Sequence, residues 1–294
     1  MATRSISEQV QGLKQQNAEF NLRRLVVAHD SSQASERALR DAIFLAKRFH
    51  SEILLAHVQA LTDEPTHEEN AQDHADLETV TSRLAGMGIR SGEILRAGIV
   101  GDALFNICCE ENADLLLLGA YGYGAQDRPT LGSTAEHLLR AIPCPVLTYG
   151  PSVSSSVSSI GGKGPILVPI SLPCDPVQLR MAVVIAKLFG SKIELLYVAD
   201  LTRSMFVRSK TVKDLEHQFE TLALQVRHEG VQLEWSFLNG KPDEVIDGRS
   251  RDLDSPFILM PLKWGDRLSS IASDNVAAHV IRCSRLPIMT YRVE

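Results

Sequence analysis

No stretch of this 294-residue chain approaches the length of a membrane span. Its longest apolar runs, such as Leu115–Leu118, fall far short of the roughly 20 residues a helix needs to cross a bilayer. The opening MATRSISEQVQGLKQQNAEF lacks the apolar core of a signal peptide. Cysteine is scarce. Five residues, an odd number without any Cys-x2-Cys spacing, suit a reducing compartment and offer neither a disulfide scaffold nor a zinc cage. Basic charge does not dominate either: the net charge is -6, whereas nucleic-acid binding calls for a basic face that neutralises phosphates. The P-loop pattern Gly-x4-Gly-Lys-Ser/Thr is missing, which leaves motor or GTPase chemistry unsupported. These absences set the expectation of a cytoplasmic protein without membrane or nucleic-acid partners.

What is present is an ordinary globular composition, 44% hydrophobic and 22% charged, in a chain long enough for about two domains. The segment Pro151–Gly164 (PSVSSSVSSIGGKG) is rich in serine and glycine and reads as a flexible linker. On either side of it the chain repeats itself. Leu25–Asp30 (LVVAHD) matches Ile166–Ser171 (ILVPIS), and Ala46-Lys47-Arg48-Phe49 matches Ala186-Lys187-Leu188-Phe189. Glu52–Val58 matches Lys192–Val198, Ala135–Arg140 matches Ala277–Arg282, and Pro145–Tyr149 (PVLTY) matches Pro287–Tyr291 (PIMTY). Common order and near-constant spacing point to duplication. The expected division is an extension over 1–21, a first domain over 22–150, the linker over 151–164 and a second domain over 165–294.

Within the first half, strands are expected at Leu25–Ala28, Ile53–Val58, Ile94–Ala97, Leu115–Leu118 and Val146–Tyr149. Helices are expected at Ser35–Phe49, Glu68–Met87, Asp102–Glu110 and Ser133–Ala141. Ala38, Ala42, Leu45 and Phe49 recur at helical spacing, as do Leu77, Val80, Leu84 and Met87. Alternating strands and helices imply a parallel sheet with right-handed crossovers, and the nearly unbroken apolar strands imply burial on both faces. The fold class is therefore α/β: two tandem, open, five-stranded, Rossmann-like parallel sheets with helices on both sides.

The most informative motif is Gly119-Ala-Tyr-Gly122, nine further residues, then Gly132-Ser133-Thr134. It runs from the end of an apolar strand to the start of a helix. Glycines there let a backbone approach a ligand closely, and a helix start offers free N–H groups and a hydroxyl to an anion. In open α/β sheets ligands bind beyond the carboxyl ends of the strands, where strand order reverses. If the first and fourth strands are neighbours there, Asp30 and Gly119 both emerge into one crevice. The Asp30 carboxylate suits ribose hydroxyls, the glycine loop suits a triphosphate, and Ala28, Val58 and Leu118 suit the flanks of a base. Asp30 and Ser133 are equally good helix N-caps. His57 reads as a half-buried strand residue, and His67 and His74 sit in an acidic run that reads as a solvated face, so no metal site is expected.

On these residues the first half resembles a universal stress protein domain. The family fingerprint Gly-x2-Gly-x9-Gly-Ser/Thr stands here as Gly119, Gly122, Gly132 and Ser133. It is accompanied by Val27-Ala28-His29-Asp30-Ser31-Ser32 and by the closing Pro-Cys-Pro-Val-Leu. The whole chain resembles a tandem member of that family. The resemblance implies an adenine-nucleotide site holding ATP or another adenine nucleotide with Mg2+, lined by Ala28, Asp30, Val58, Leu118, Gly119, Gly122, Gly132, Ser133 and Thr134. It also implies pairing of the halves through their last strands, homodimer formation and an unidentified protein partner. Two departures stand out: alanine rather than proline at 28, and the acidic Asp127 inside the loop.

Carried into the second half, the alignment turns Asp30 into Ser171, Gly119 into Pro261, Gly122 into Trp264, Gly132 into Asp274 and Ser133 into Asn275. Proline removes a donor, tryptophan fills space and aspartate repels phosphate. The expectation is one nucleotide at most, in the first half, with a structural second half. The leading function is an ATP-binding regulatory stress-response protein without a catalytic residue. Alternatives are a slow ATP hydrolase or other nucleotide-dependent enzyme, and a nucleotide-free protein-interaction scaffold.

Overall fold

A computed structural model describes residues 20–60, 67–121, 132–153, 159–171, 176–199, 209–263 and 276–293. The elements run β1 (Arg24–Ala28), α1 (Gln33–Phe49), β2 (Glu52–Ala60), α2 (His67–Gly86), β3 (Ser91–Gly98), α3 (Val100–Glu110), β4 (Leu115–Gly119), α4 (Ser133–Ala141) and β5 (Val146–Tyr149). After a short 3-10 turn at Ser159–Gly161, the pattern recurs. It continues as β6 (Ile166–Ile170), α5 (Pro176–Phe189), β7 (Ile193–Ala199), α6 (Ser209–His228), β8 (Leu233–Asn239), α7 (Pro242–Asp252), β9 (Ile258–Lys263), α8 (Val276–Cys283) and β10 (Ile288–Val293).

All ten strands join one sheet in the order β3-β2-β1-β4-β5-β10-β9-β6-β7-β8. Pairing within each half is parallel, as expected from the strand–helix alternation. The halves meet where β5 and β10 run antiparallel, with Thr148 opposite Ile288, Leu147 opposite Met289 and Val146 opposite Thr290. Read outward from that seam, the two halves have the same strand order.

Two apolar layers cover the sheet, and each crosses the seam. One collects Ala38, Ala42 and Leu45 of α1 and Leu77 and Leu84 of α2, together with Leu179, Ala182 and Ile185 of α5. The other collects Leu104 and Ile107 of α3, Leu138 of α4 and Val280 and Ile281 of α8. The repeated Ala-Lys-x-Phe stretches meet across the seam. The Phe49 and Phe189 rings lie edge to face 5.4 Å apart, and Phe189 does the same with Phe257 at 5.1 Å. Arg48 lies over both Phe49 and Phe189 and donates to the Phe189 carbonyl at 2.6 Å. Such ring pairs and cation contacts add to the area they bury.

Local differences from the expected elements have physical causes. Met87 lies beyond the end of α2 and is 44% exposed, because the helix stops at Gly86. The stretch expected to be a loose linker is packed at both described ends. Val153 and Ile160 are each 2% exposed and sit in the first apolar layer, and the Gly164 amide donates to Asp254 O at 3.0 Å. Phe20, within the expected extension, also packs against that layer.

Beside the seam, Tyr149 is fully buried and its hydroxyl donates to Asp41 Oδ2 of α1 at 2.9 Å. Burial, and then the Asp41 charge, push the Tyr149 phenol well above its ordinary range. Because the folded-state pKa is raised, the stability this group confers is complete below the unfolded value of about 10 and falls as pH climbs beyond it. Tyr149→Phe is expected to cost about 1–3 kcal/mol at neutral pH by stripping a bond from a buried carboxylate. It is also expected to flatten the alkaline loss of stability, as urea unfolding between pH 8 and 11 would read out.

Candidate functional site

The crevice forms where the chain leaves β1 and β4. These strands are parallel neighbours, with Leu25 opposite Leu115, Val26 opposite Leu116 and Val27 opposite Leu117. The connection from β1 goes outward to β2 through α1, and that from β4 goes toward β5 through α4, so strand order reverses between them. Ala28 and Val58, partly buried, pack against the apolar layer beneath α3 and α4. Leu118 is 3% exposed and belongs to that layer, so it supports the crevice from below.

Asp30 follows β1 by two residues. Its Oδ1 accepts the Ser32 amide at 3.1 Å, a turn made possible by Ser31 in the left-handed region at φ 58°. The N-cap of α1 is Ser32, whose hydroxyl accepts the Ser35 amide at 3.2 Å. Asp30 is thus held at the strand end without capping the helix, and its second oxygen accepts nothing from the described residues. His29 points elsewhere: it is 6% exposed and its Nε2 lies 3.1 Å from Glu36. His57 bridges outward, with Nδ1 2.8 Å from the His29 carbonyl oxygen and Nε2 3.4 Å from Asp73 of α2.

The glycines do more local work than their spacing suggests. A Cβ on Gly119 would lie 2.8 Å from the Ala34 methyl, so this glycine lets the first turn of α1 close onto β4. A Cβ on Gly132 would lie 2.8 Å from the Ala120 carbonyl oxygen, and the Gly132 amide donates to that same oxygen at 3.1 Å. The motif's two ends are therefore joined to each other, and this amide is spent on the protein. The next amides have no acceptor among the described residues. Glu136 N makes the bond to Gly132 O at 2.9 Å, so the amides of Ser133, Thr134 and Ala135 precede any intrahelical partner. Gly132 supplies no side-chain cap, Ser133 is exposed and Thr134 is half-buried. Gly122, Asp127 and Arg128 lie outside the described residues.

The second half differs at the matching places. Ser171 is exposed after β6, and Pro261 stands within β9, opposite Tyr291 of β10. Trp264, Asp274 and Asn275 lie outside the described residues. Glu194 of β7, aligned with Leu54 of β2, is 2% exposed. It accepts Arg249 Nε and Ser236 Oγ, each at 2.7 Å. Sequence reading passed over this ion pair because its members are 55 residues apart.

An open, mostly parallel sheet with helices on both faces and a crevice at the strand-order reversal places the protein in the Rossmann-like α/β class. Residues 21–149 match the sequence profile of the universal stress protein family. A universal stress protein of Methanocaldococcus jannaschii is 26% identical over 145 residues, covering 45% of this chain and 84% of that protein. One from Thermus aquaticus is 29% identical over 130 residues, covering 42% and 95%. The crystal structure of a universal stress protein from Archaeoglobus fulgidus shares the fold over 93% of this chain and 99% of its own. Its TM-score is 0.71 and its sequence identity 20%. The first half of the chain is thus similar to the universal stress protein family over residues 21–149.

Among the described residues, no helix is long and apolar enough to cross a membrane. Gly119→Ala is expected to destabilise the fold by roughly 1–3 kcal/mol through the clash with Ala34. Adding Ala34→Gly is expected to recover part of that loss despite the helix cost of glycine. Chemical denaturation of the two single variants and the double variant tests the coupling.

Proposed function

We propose that the first half binds ATP or another adenine nucleotide as a regulatory ligand, and that the second half binds none and serves as a structural partner. The observation that carries this reading is the placement of Asp30 and Gly119 at the carboxyl ends of two adjacent parallel strands, beside the open N-terminus of α4. The free Asp30 oxygen takes a ribose hydroxyl, Ala28 and Val58 flank the base over Leu118, and the Ser133, Thr134 and Ala135 amides take phosphate oxygens with help from the helix dipole. Gly122 takes its part from the motif alone. Among the described residues, no group of three or more His, Cys, Asp or Glu side chains converges as a metal cage. Mg2+ would then arrive on the phosphates, the usual manner for this ion.

Ser171 and Pro261 support an inactive second half, since neither offers the carboxylate or the glycine that the first half holds there. A signalling role fits better than fast hydrolysis. His29, the nearest general-base candidate, is buried against Glu36.

Isothermal titration with ATP is expected to saturate at one nucleotide per chain. Asp30→Ala is expected to weaken binding about tenfold, the equivalent of one charge-assisted hydrogen bond near 1.4 kcal/mol. Gly132→Asp is expected to abolish it. Two sites per chain, or undiminished binding by Gly132→Asp, would refute the assignment.

A further inference from the structure

The crevice end of the first half abuts the last helix of the second. Because β5 and β10 are antiparallel, the carboxyl end of β5 lies beside the start of β10, and α8 ends just before that start. Three contacts link them. The Gly132 amide, at the N-cap of α4, donates to Ala120 O at 3.1 Å, and the Ala120 amide donates to Tyr149 O at 2.9 Å. Gly150, next in the chain, passes so close to the Ile281 carbonyl of α8 that no side chain fits between them. Tyr121, one residue past Ala120, is 5% exposed, and its buried hydroxyl has no hydrogen-bond partner among the described residues. Tyr121 belongs to the apolar layer that also holds Ala277, Val280 and Ile281 of α8. Burial raises its phenol, and the Arg282 charge pulls it partly back.

We infer that α8 of the second half senses occupancy of the first-half crevice, through Tyr121 and the Gly132–Ala120–Tyr149 hydrogen-bond chain. The inference rests on the nucleotide reading above and adds a receiver to it. A ligand that seats on the Ser133 and Thr134 amides restrains Gly132, the residue that starts this chain of bonds. Ordering at one end of a hydrogen-bonded, close-packed path lowers the opening of the other end without a change of fold. The effect must be reciprocal, since coupling between two sites is a single free energy. Tyr121 acts here as a positioning residue, with its ring buried. The second half thereby gains a task that its Ser171 and Pro261 do not preclude.

Hydrogen exchange of the full chain, followed on peptides covering 276–283, tests this with and without saturating ATP. Exchange in α8 is expected to slow about fivefold on ATP addition, at the lower end of ordinary couplings. Peptides from α6, on the outer part of the second half, are expected to be unchanged. Tyr121→Leu and, independently, Arg282→Gln are expected to bind ATP within about fivefold of the parent while losing most of the α8 protection. If the parent chain binds no ATP, the site reading falls and the coupling with it. If ATP binds and α8 exchange is unaltered, the coupling alone is overturned. Full protection retained in both variants would overturn the route through Tyr121.

Discussion

The pairing of β5 with β10 is the constraint on which the rest of the molecule depends. A four-residue apolar strand at the edge of a parallel sheet exposes unpaired backbone groups and an apolar surface. Here each half supplies the edge that the other lacks, and the connection through residues 150–165 keeps the two at high effective concentration. Everything central to the fold follows from that seam. Both apolar layers become continuous across it, Phe49 and Phe189 come into contact, and Tyr149 is sealed in so completely that its hydroxyl needs Asp41.

Duplication provided the symmetry, and substitution has since removed it selectively. Positions that build the seam persist in kind: Thr148 and Thr290 are both buried, as are Tyr149 and Tyr291. Positions at the crevice have drifted, with Asp30 matched by Ser171 and Gly119 by Pro261. Other changes exchange one means of support for another. The apolar Leu54 is matched by Glu194, whose buried charge is tolerable because Arg249 and Ser236 both reach it. Removing either partner of such a pair typically costs several kcal/mol, although the intact pair contributes little.

Much of this was legible in the residues, and the boundary of what was legible has a physical meaning. The strands were readable because both faces are buried, so LLLL and ILLA show as apolar runs. Alternation of elements implied the parallel sheet, whereas the adjacency of β1 and β4 beside Asp30 was only a condition, which the strand pairing meets. Contacts between segments distant in sequence were not readable. Nothing near Gly119 announces Ala34 as the group filling the space of its missing Cβ. Tyr121 sits inside the GAYG motif, yet it is buried and belongs to the apolar layer that also holds Val280 and Ile281 of α8. Composition marked 151–164 as loose because serine and glycine dominate, yet two of its apolar side chains, Val153 and Ile160, find places in the core. In each case the deciding interaction is tertiary and leaves no periodic trace.

An antiparallel seam between two parallel half-sheets gives the molecule two opposed poles. Strands of one half point their carboxyl ends to one pole, and those of the other half point to the opposite one. The pole with Asp30 and the α4 amides is bordered by the strand beginnings of the second half. Its antipode presents Ser171 and Pro261, bordered by the strand beginnings of the first. A chain built from like halves therefore offers its surroundings two chemically unlike ends. A visitor that docks at one end meets a carboxylate and the first amides of a helix, and one at the other end meets a hydroxyl and a pyrrolidine ring.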